Sequence, residues 1–198
     1  MKFLKSGKAM RAIEVDRELS DLDRFALGFI DILGKHGIKY VVVSGYVSIL
    51  LGRARASEDI DVIIPRMKLD EIRPFLESLV NGYCCLNEDG AEEIFGLMEE
   101  DVAARFARKG TVIPNIELKF SKTRADGISL RDRVAVKLRN RMIYISPLEM
   151  QVAFKEAVLC SPKDIEDARH LRNVAKGYID LNLVKRYEAM LHEIYGTK

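Results

Sequence analysis

Cysteine is scarce in this chain: three in 198 residues, with Cys84 and Cys85 adjacent and Cys160 alone. An odd number without C-x2-C spacing excludes a disulfide framework and a structural zinc site, and it points to a reducing cytoplasm. Long apolar runs are missing as well. None approaches the roughly 20 residues that cross a bilayer, and the first residues, MKFLKSGKAMRAIEVDRE, contain no apolar signal-peptide core. No membrane partner is therefore expected. Charge of one sign is also absent in excess. The net charge is +2, so any nucleic-acid contact has to come from a local patch rather than a global basic field. His36, His170 and His192 are isolated and lack metal-ligand spacing. Glutamine occurs once, at Gln151, while Lys, Arg and Glu are plentiful, a bias that points to a thermophilic source. There is no Walker A motif, nucleophile elbow, dinucleotide fingerprint, internal repeat or low-complexity segment.

What is present is an ordinary globular composition, 48% hydrophobic and 31% charged, sufficient for one domain or a core with a helical appendage. Residues 1–14 are basic and without a clear period. The spacing of Leu22, Phe25, Ala26, Phe29, Ile30 and Leu33 predicts a helix over 20–35, closed by Gly34 and Gly37. A β-branched run at 40–43 predicts a buried strand, broken by Ser44-Gly45 and followed by a short helix to Gly52. A basic loop, 53–57, leads into a second strand that opens Asp59-Ile60-Asp61. Further on, helices are expected at 67–80 and 91–107, a short strand at 83–86, an extended segment at 111–120, and a hairpin formed by 134–138 and 142–145. After Ser146-Pro147 the pattern turns wholly helical, with 148–159, 163–174 and 181–194 as three helices. The expected class is α+β: an N-terminal arm and helix (1–35), an α/β core with a small mixed sheet flanked by helices (36–146), and a C-terminal helical segment (147–198).

The acidic pair is the most chemically suggestive feature. Alternate residues of a strand share a face, so Asp59 and Asp61 project together. Two carboxylates so close repel unless a cation lies between them, and Mg2+ suits such oxygen donors plus substrate phosphates. The spelling alone is weak. With 14 aspartates in 198 residues, chance supplies about one D-x-D. Asp21-Leu22-Asp23 is a second instance, placed at a helix start where capping is the expected role. Glu117, an acid within the apolar alternation of Ile116, Leu118 and Phe120, is either a third metal ligand or an edge-strand residue facing water. Ser44-Gly45 is an anion-contacting turn ahead of a helix, or an ordinary strand-to-helix turn. Arg53 and Arg55 are triphosphate clamps or solvated loop residues. Lys155 is a phosphate contact or a surface lysine. Asp164, Glu166 and Asp167 form an acidic helix start.

The unit VVVSGYVSILLGRARASEDIDVII resembles the signature of the nucleotidyltransferase fold of the DNA polymerase β-like superfamily: a small-residue pair at a strand end, then D-x-D on the next strand. In its detail, the small pair, apolar helix, Gly52, arginine loop and Ser57 before D-I-D, it is similar to the minimal bacterial and archaeal branch, which includes the abortive-infection (AbiEii-type) toxins. The segment ISPLEMQVAFKEAVLCSPKDIEDARHL is similar to the proline–helix–lysine–KD-x-x-D stretch of that branch. The resemblance implies Asp59, Asp61 and Glu117 as catalytic metal ligands for Mg2+, or Mn2+ in its place. It implies Ser44, Gly45, Arg53, Arg55, Ser57 and Lys155 on the nucleotide side, and Asp167 as a packing or capping residue. It further implies transfer of an NMP from an NTP to a hydroxyl of RNA, protein or a small molecule, with a cognate antitoxin or a second copy of the chain as a partner. Ser44 departs from the usual glycine, Tyr46 is bulky directly after the pair, and Glu117 replaces the usual aspartate. A protein that keeps the fold and binds nucleotide, RNA or a protein without turnover is the alternative. A third reading, a D-x-D glycosyltransferase using Mn2+ and a nucleotide sugar, leaves Ser44-Gly45 unexplained.

Overall fold

The computed structural model describes residues 1–4 and 12–196; the middle of the basic stretch, 5–11, lies outside the described residues. Both flanks of that stretch are strands. β1 (Lys2–Leu4) pairs antiparallel with β2 (Ala12–Val15). The short alternation of β2 buries Ile13 and Val15, and it is anchored by pairing with a distant segment, which local periodicity does not reveal.

Helix α1 (Asp21–Lys35) begins with a capping box: Ser20 Oγ accepts from the Asp23 N–H at 3.1 Å, and Asp23 Oδ2 accepts from the Ser20 N–H at 2.7 Å. The Asp21–Asp23 pair is thus a cap. Asp23 also accepts from Arg17 at 2.5 Å and from the Tyr46 hydroxyl at 2.7 Å. Burial alone would raise its carboxyl, but these donors hold it at about 2. The chain continues through β3 (Val41–Val43), α2 (Gly45–Leu50), β4 (Asp59–Ile64), α3 (Leu69–Leu79), β5 (Tyr83–Cys85) and α4 (Ala91–Glu99).

The helix expected over 91–107 stops early. Asp101 takes a left-handed conformation (φ 64°), and the residues beyond it form β6 (Ala104–Arg108). Ala104 and Phe106 face the core while Arg105 faces out, a period of two that only the neighbouring β7 (Asn115–Phe120) makes decisive. A helix that the apolar spacing does not announce, α5 (Arg124–Arg131), is started by a Thr123–Asp126 capping box. The hairpin β8 (Val134–Leu138) and β9 (Arg141–Ile145) follows. The single helix expected over 148–159 is α6 (Leu148–Phe154) ending in a π-helical turn, Lys155–Leu159. α7 (Pro162–Val174) and α8 (Leu181–Tyr195) complete the chain.

The strands form one mixed sheet in the order β1-β2-β8-β9-β3-β4-β7-β6-β5. One face is covered by α1, whose Phe29 ring sits 5.8, 5.4 and 5.6 Å from those of Phe75, Tyr83 and Phe106. Ile60, Val62, Ile64, Ile116 and Leu118 are fully buried in the same core. On the other face Val41, Ile63 and Leu130 of α5 form a small separate cluster, with Val43 packed against it. This uneven cover leaves the acidic part of β4 and β7 reachable from outside.

Candidate functional site

Strands β4 and β7 run parallel in a register that pairs Asp59 with Asn115 and Asp61 with Glu117. Alternation sends Ile60, Val62, Ile116 and Leu118 into the core, so these four polar side chains share the opposite face. Antiparallel pairing adds Arg105 of β6 beside Glu117 and Val43 of β3 beside Asp61. The sequence places Asp59 and Asp61 together; the register brings Glu117 to them.

Two cations stand in this face. Lys119 Nζ lies 3.5 Å from Asp61 Oδ1, and Arg105 Nε lies 3.7 Å from Glu117 Oε1. Both are looser than a good hydrogen-bonded ion pair. Asp59, at the strand's exposed start, accepts from Ser57 Oγ at 3.1 Å. Glu117 is held above its ordinary pKa, first by burial and then by the charges of Asp61 and Asp59, against the weaker pull of Arg105 and Lys119. Asn115 Nδ2 donates to the Glu58 carbonyl at 3.3 Å, and its buried Oδ1 has no partner. Among the described residues no three His, Cys, Asp or Glu side chains stand close enough together to hold an ion without adjustment. The donor set nonetheless suits a hard divalent cation: carboxylate oxygens of Asp59, Asp61 and Glu117 on one face of two adjacent strands.

Ser44 and Gly45 lie at the end of β3, next to this face. Ser44 is the N-cap of α2 at φ 63°, ψ −137°, with no side-chain capping bond. Such a conformation is costly for any residue but glycine. Ser44→Gly is therefore expected to stabilise the fold by about 1 kcal/mol, read as a higher urea midpoint at unchanged slope. A side chain at Gly45 would run into Arg55 Nη2. Any larger residue there requires the guanidinium to move off the turn.

The arginines are engaged elsewhere than on the acidic face. Arg53 donates to Asp167 Oδ1 at 2.8 Å and to Glu166 Oε2 at 2.5 Å, and Arg55 donates to Asp167 Oδ2 at 3.1 Å. Lys155, 1% exposed, lies 3.1 Å from Asp164 and 3.0 Å from Asp167. It is a buried member of an ion cluster, not a surface lysine. Asp167, fully buried, thus serves three cations drawn from the loop before β4 and the π turn after α6. Burial by itself would raise its carboxyl; Lys155, with Arg55 and Arg53, outweighs this and holds it low. Sequence reasoning placed Asp167 at a helix start and did not see it as a hub, because its partners are 12 or more residues away.

A cavity of about 400 Å3 joins the separate pieces. Ser44, Asp61, Lys119, Gln151 and Lys155 line it, with Phe120, Met150, Phe154 and Tyr195 as apolar wall. The C-terminal helices thereby close one side of the space above Asp61. A second cavity, of about 550 Å3, opens at the start of β4 and is bordered by Ser57, Glu58, Arg24, Arg108 and Ile113.

No family model matches the chain, and no curated protein matches it. Among solved structures it is similar to an antigenic nucleotidyltransferase-like protein from Paracoccidioides brasiliensis, with 14% identity over 90% of this chain and 91% of that one, at a TM-score of 0.52. It is also similar to the antibiotic-resistance factor ANT(2'')-Ia in its solution structure, with 14% identity over 89% and 95% of the two chains, at a TM-score of 0.57. The chain has the nucleotidyltransferase fold: a mixed sheet flanked by helices, as the motif resemblance implied. Among the described residues no helix is long and apolar enough to cross a membrane.

Proposed function

We propose that the protein is a metal-dependent nucleotidyltransferase, transferring an NMP from an NTP to a hydroxyl of RNA, a protein or a small molecule. The observation that carries this reading is the register of β4 and β7, which sets Glu117 beside Asp61, the one of the three acids that lines the cavity bordered by Ser44 and Lys155. Asp59, Asp61 and Glu117 are the residues that hold Mg2+, or Mn2+ in its place. When bound, the ion supplies positive charge for the triphosphate and the departing pyrophosphate. Ser44 and Gly45 present the turn to the phosphates, and Lys155 adds charge from the cavity wall. Arg53 and Arg55 act through Asp167, keeping the loop before β4 and the turn at Gly45 in place. Ser57 orients Asp59. The acceptor oxygen attacks the α-phosphorus, the bond to pyrophosphate breaks, and Glu117, on the same face as Asp61, eases loss of the hydroxyl proton. The C-terminal helical segment, which walls the first cavity through Met150, Phe154 and Tyr195, shapes the acceptor's side. A cytoplasmic role as the toxin-type member of an AbiEii-like pair, with a cognate antitoxin or a second copy as partner, fits the motif spelling.

The test is incubation with each labelled NTP, Mg2+ and, separately, total RNA, protein and small-molecule fractions. Label transfer with stoichiometric pyrophosphate release is the expected result. The alternative, a module that binds without turnover, is favoured by the Ser44 conformation and by the ion pairs that already engage Lys155. Nucleotide binding with no pyrophosphate in any fraction would decide for it.

A further inference from the structure

We propose that Lys119 is the site's own displaceable counter-ion: its ammonium holds Asp61 while no metal is bound, and it passes to the triphosphate when metal and nucleotide arrive. This rests on the nucleotidyltransferase reading above. Lys119 lies two residues beyond Glu117 on β7, on the same face of the sheet. Its ammonium is 3.5 Å from Asp61 Oδ1, beyond the usual range of a direct N–H···O bond. Its side chain is 37% exposed, so packing does not lock it. The cations around Asp167 are different in kind. Lys155 is tied to two carboxylates, and Arg53 and Arg55 converge on Asp167. Lys119 has one long ion pair and lines the same cavity as Ser44, Asp61 and Lys155.

The chemistry explains why a lysine belongs there. Without a cation, Asp59, Asp61 and Glu117 would repel one another across two adjacent strands. Lys119 and Arg105 relieve that repulsion in the free protein. A lysine is a compact charge on a flexible four-carbon stem. A divalent ion carries twice its charge and displaces it from Asp61, and the released ammonium has the cavity to swing into. The same stem then reaches phosphate oxygens. One residue thus opposes metal binding alone and favours metal binding together with a polyphosphate.

The test uses the full chain, wild type and Lys119→Met, with Mn2+ alone followed by paramagnetic resonance and with Mg2+–tripolyphosphate followed by calorimetry. The Met variant is expected to bind Mn2+ about tenfold tighter than wild type, since its competitor is gone, and Mg2+–tripolyphosphate about tenfold weaker. Lys119→Arg, which keeps the charge, is expected to stay within about threefold of wild type for both. Mn2+ binding that is unchanged or weaker in the Met variant overturns the proposal. So does a pair of affinities that shift in the same direction. A wild-type chain that takes up no Mn2+ at all overturns the metal-site reading itself, and the counter-ion role with it.

Discussion

Asp61→Asn is expected to lose NMP transfer by at least about a thousandfold, equivalent to about 4 kcal/mol of transition-state stabilisation, while its melting temperature stays close to that of wild type. The two halves of this outcome have separate physical causes. Asp61 joins several parts of the candidate site: it neighbours Glu117 across the parallel register, pairs with Lys119, and lines the cavity beside Ser44. Asparagine keeps the shape and one carbonyl oxygen, but it removes the charge a hard cation requires. Stability is spared because the backbone pairing of β4 does not depend on the side chain, and because Asp61 itself raises the charging cost of Glu117. Losing that repulsion offsets the loss of a loose ion pair, and the net change is expected within about 0.5 kcal/mol. Pyrophosphate release and a thermal melt on the same preparation check both halves. A variant with full transfer activity would remove the proposed function.

Asp167→Asn is expected to do the reverse, costing about 3 kcal/mol of stability and roughly 6–12 °C in melting temperature. Asp167 is fully buried and holds Arg53, Arg55 and Lys155 at 2.8, 3.1 and 3.0 Å. Neutralising it leaves cations with too little counter-charge in a place where Lys155 is itself 1% exposed. Asp164 still faces Lys155, which limits the loss. The pH dependence has a definite sign. The carboxyl of Asp167 is held below its ordinary 3.8, despite burial that acts the other way, by Lys155, Arg55 and Arg53. Its contribution is therefore complete above that ordinary value and is lost as pH falls through the lower folded one. Wild type and variant are expected to differ fully in urea midpoint at pH 7 and to converge below pH 3.8. A gap that persists unchanged in acid would show that Asp167 acts by packing alone. Activity is expected to suffer too, because Arg55, pressed on Gly45, is positioned by this carboxylate.

These two aspartates mark the limit of what could be read from the chain. The strand–turn–helix–strand unit around Ser44 and Asp61 was legible because every signal in it is local: a β-branched run, a small pair, an apolar helix, two acids at a spacing of two. The D-x-D at Asp21 was separable from the one at Asp59 for the same reason, since Ser20 and the helical period lie beside it. The segment 91–107 was misread as one helix because its end depends on Asp101 adopting a left-handed conformation and on β7 accepting a partner strand. Strand β2 was missed because four residues carry too little pattern without β8 beside them.

The sequence by itself determined the kind of fold and the pair of acids at its centre, since local periodicity and side-chain chemistry are written in consecutive residues. Tertiary structure alone decided the rest of the site. The register of two parallel strands, 58 residues apart in Asp59 and Glu117, brought the third acid to the first two and set Lys119 against Asp61. Helix α7 drew Arg53, Arg55 and the buried Lys155 onto Asp167. Contacts between segments more than a hundred residues apart, such as Arg53 with Asp167, depend on how elements pack, and no local pattern in the chain encodes that packing.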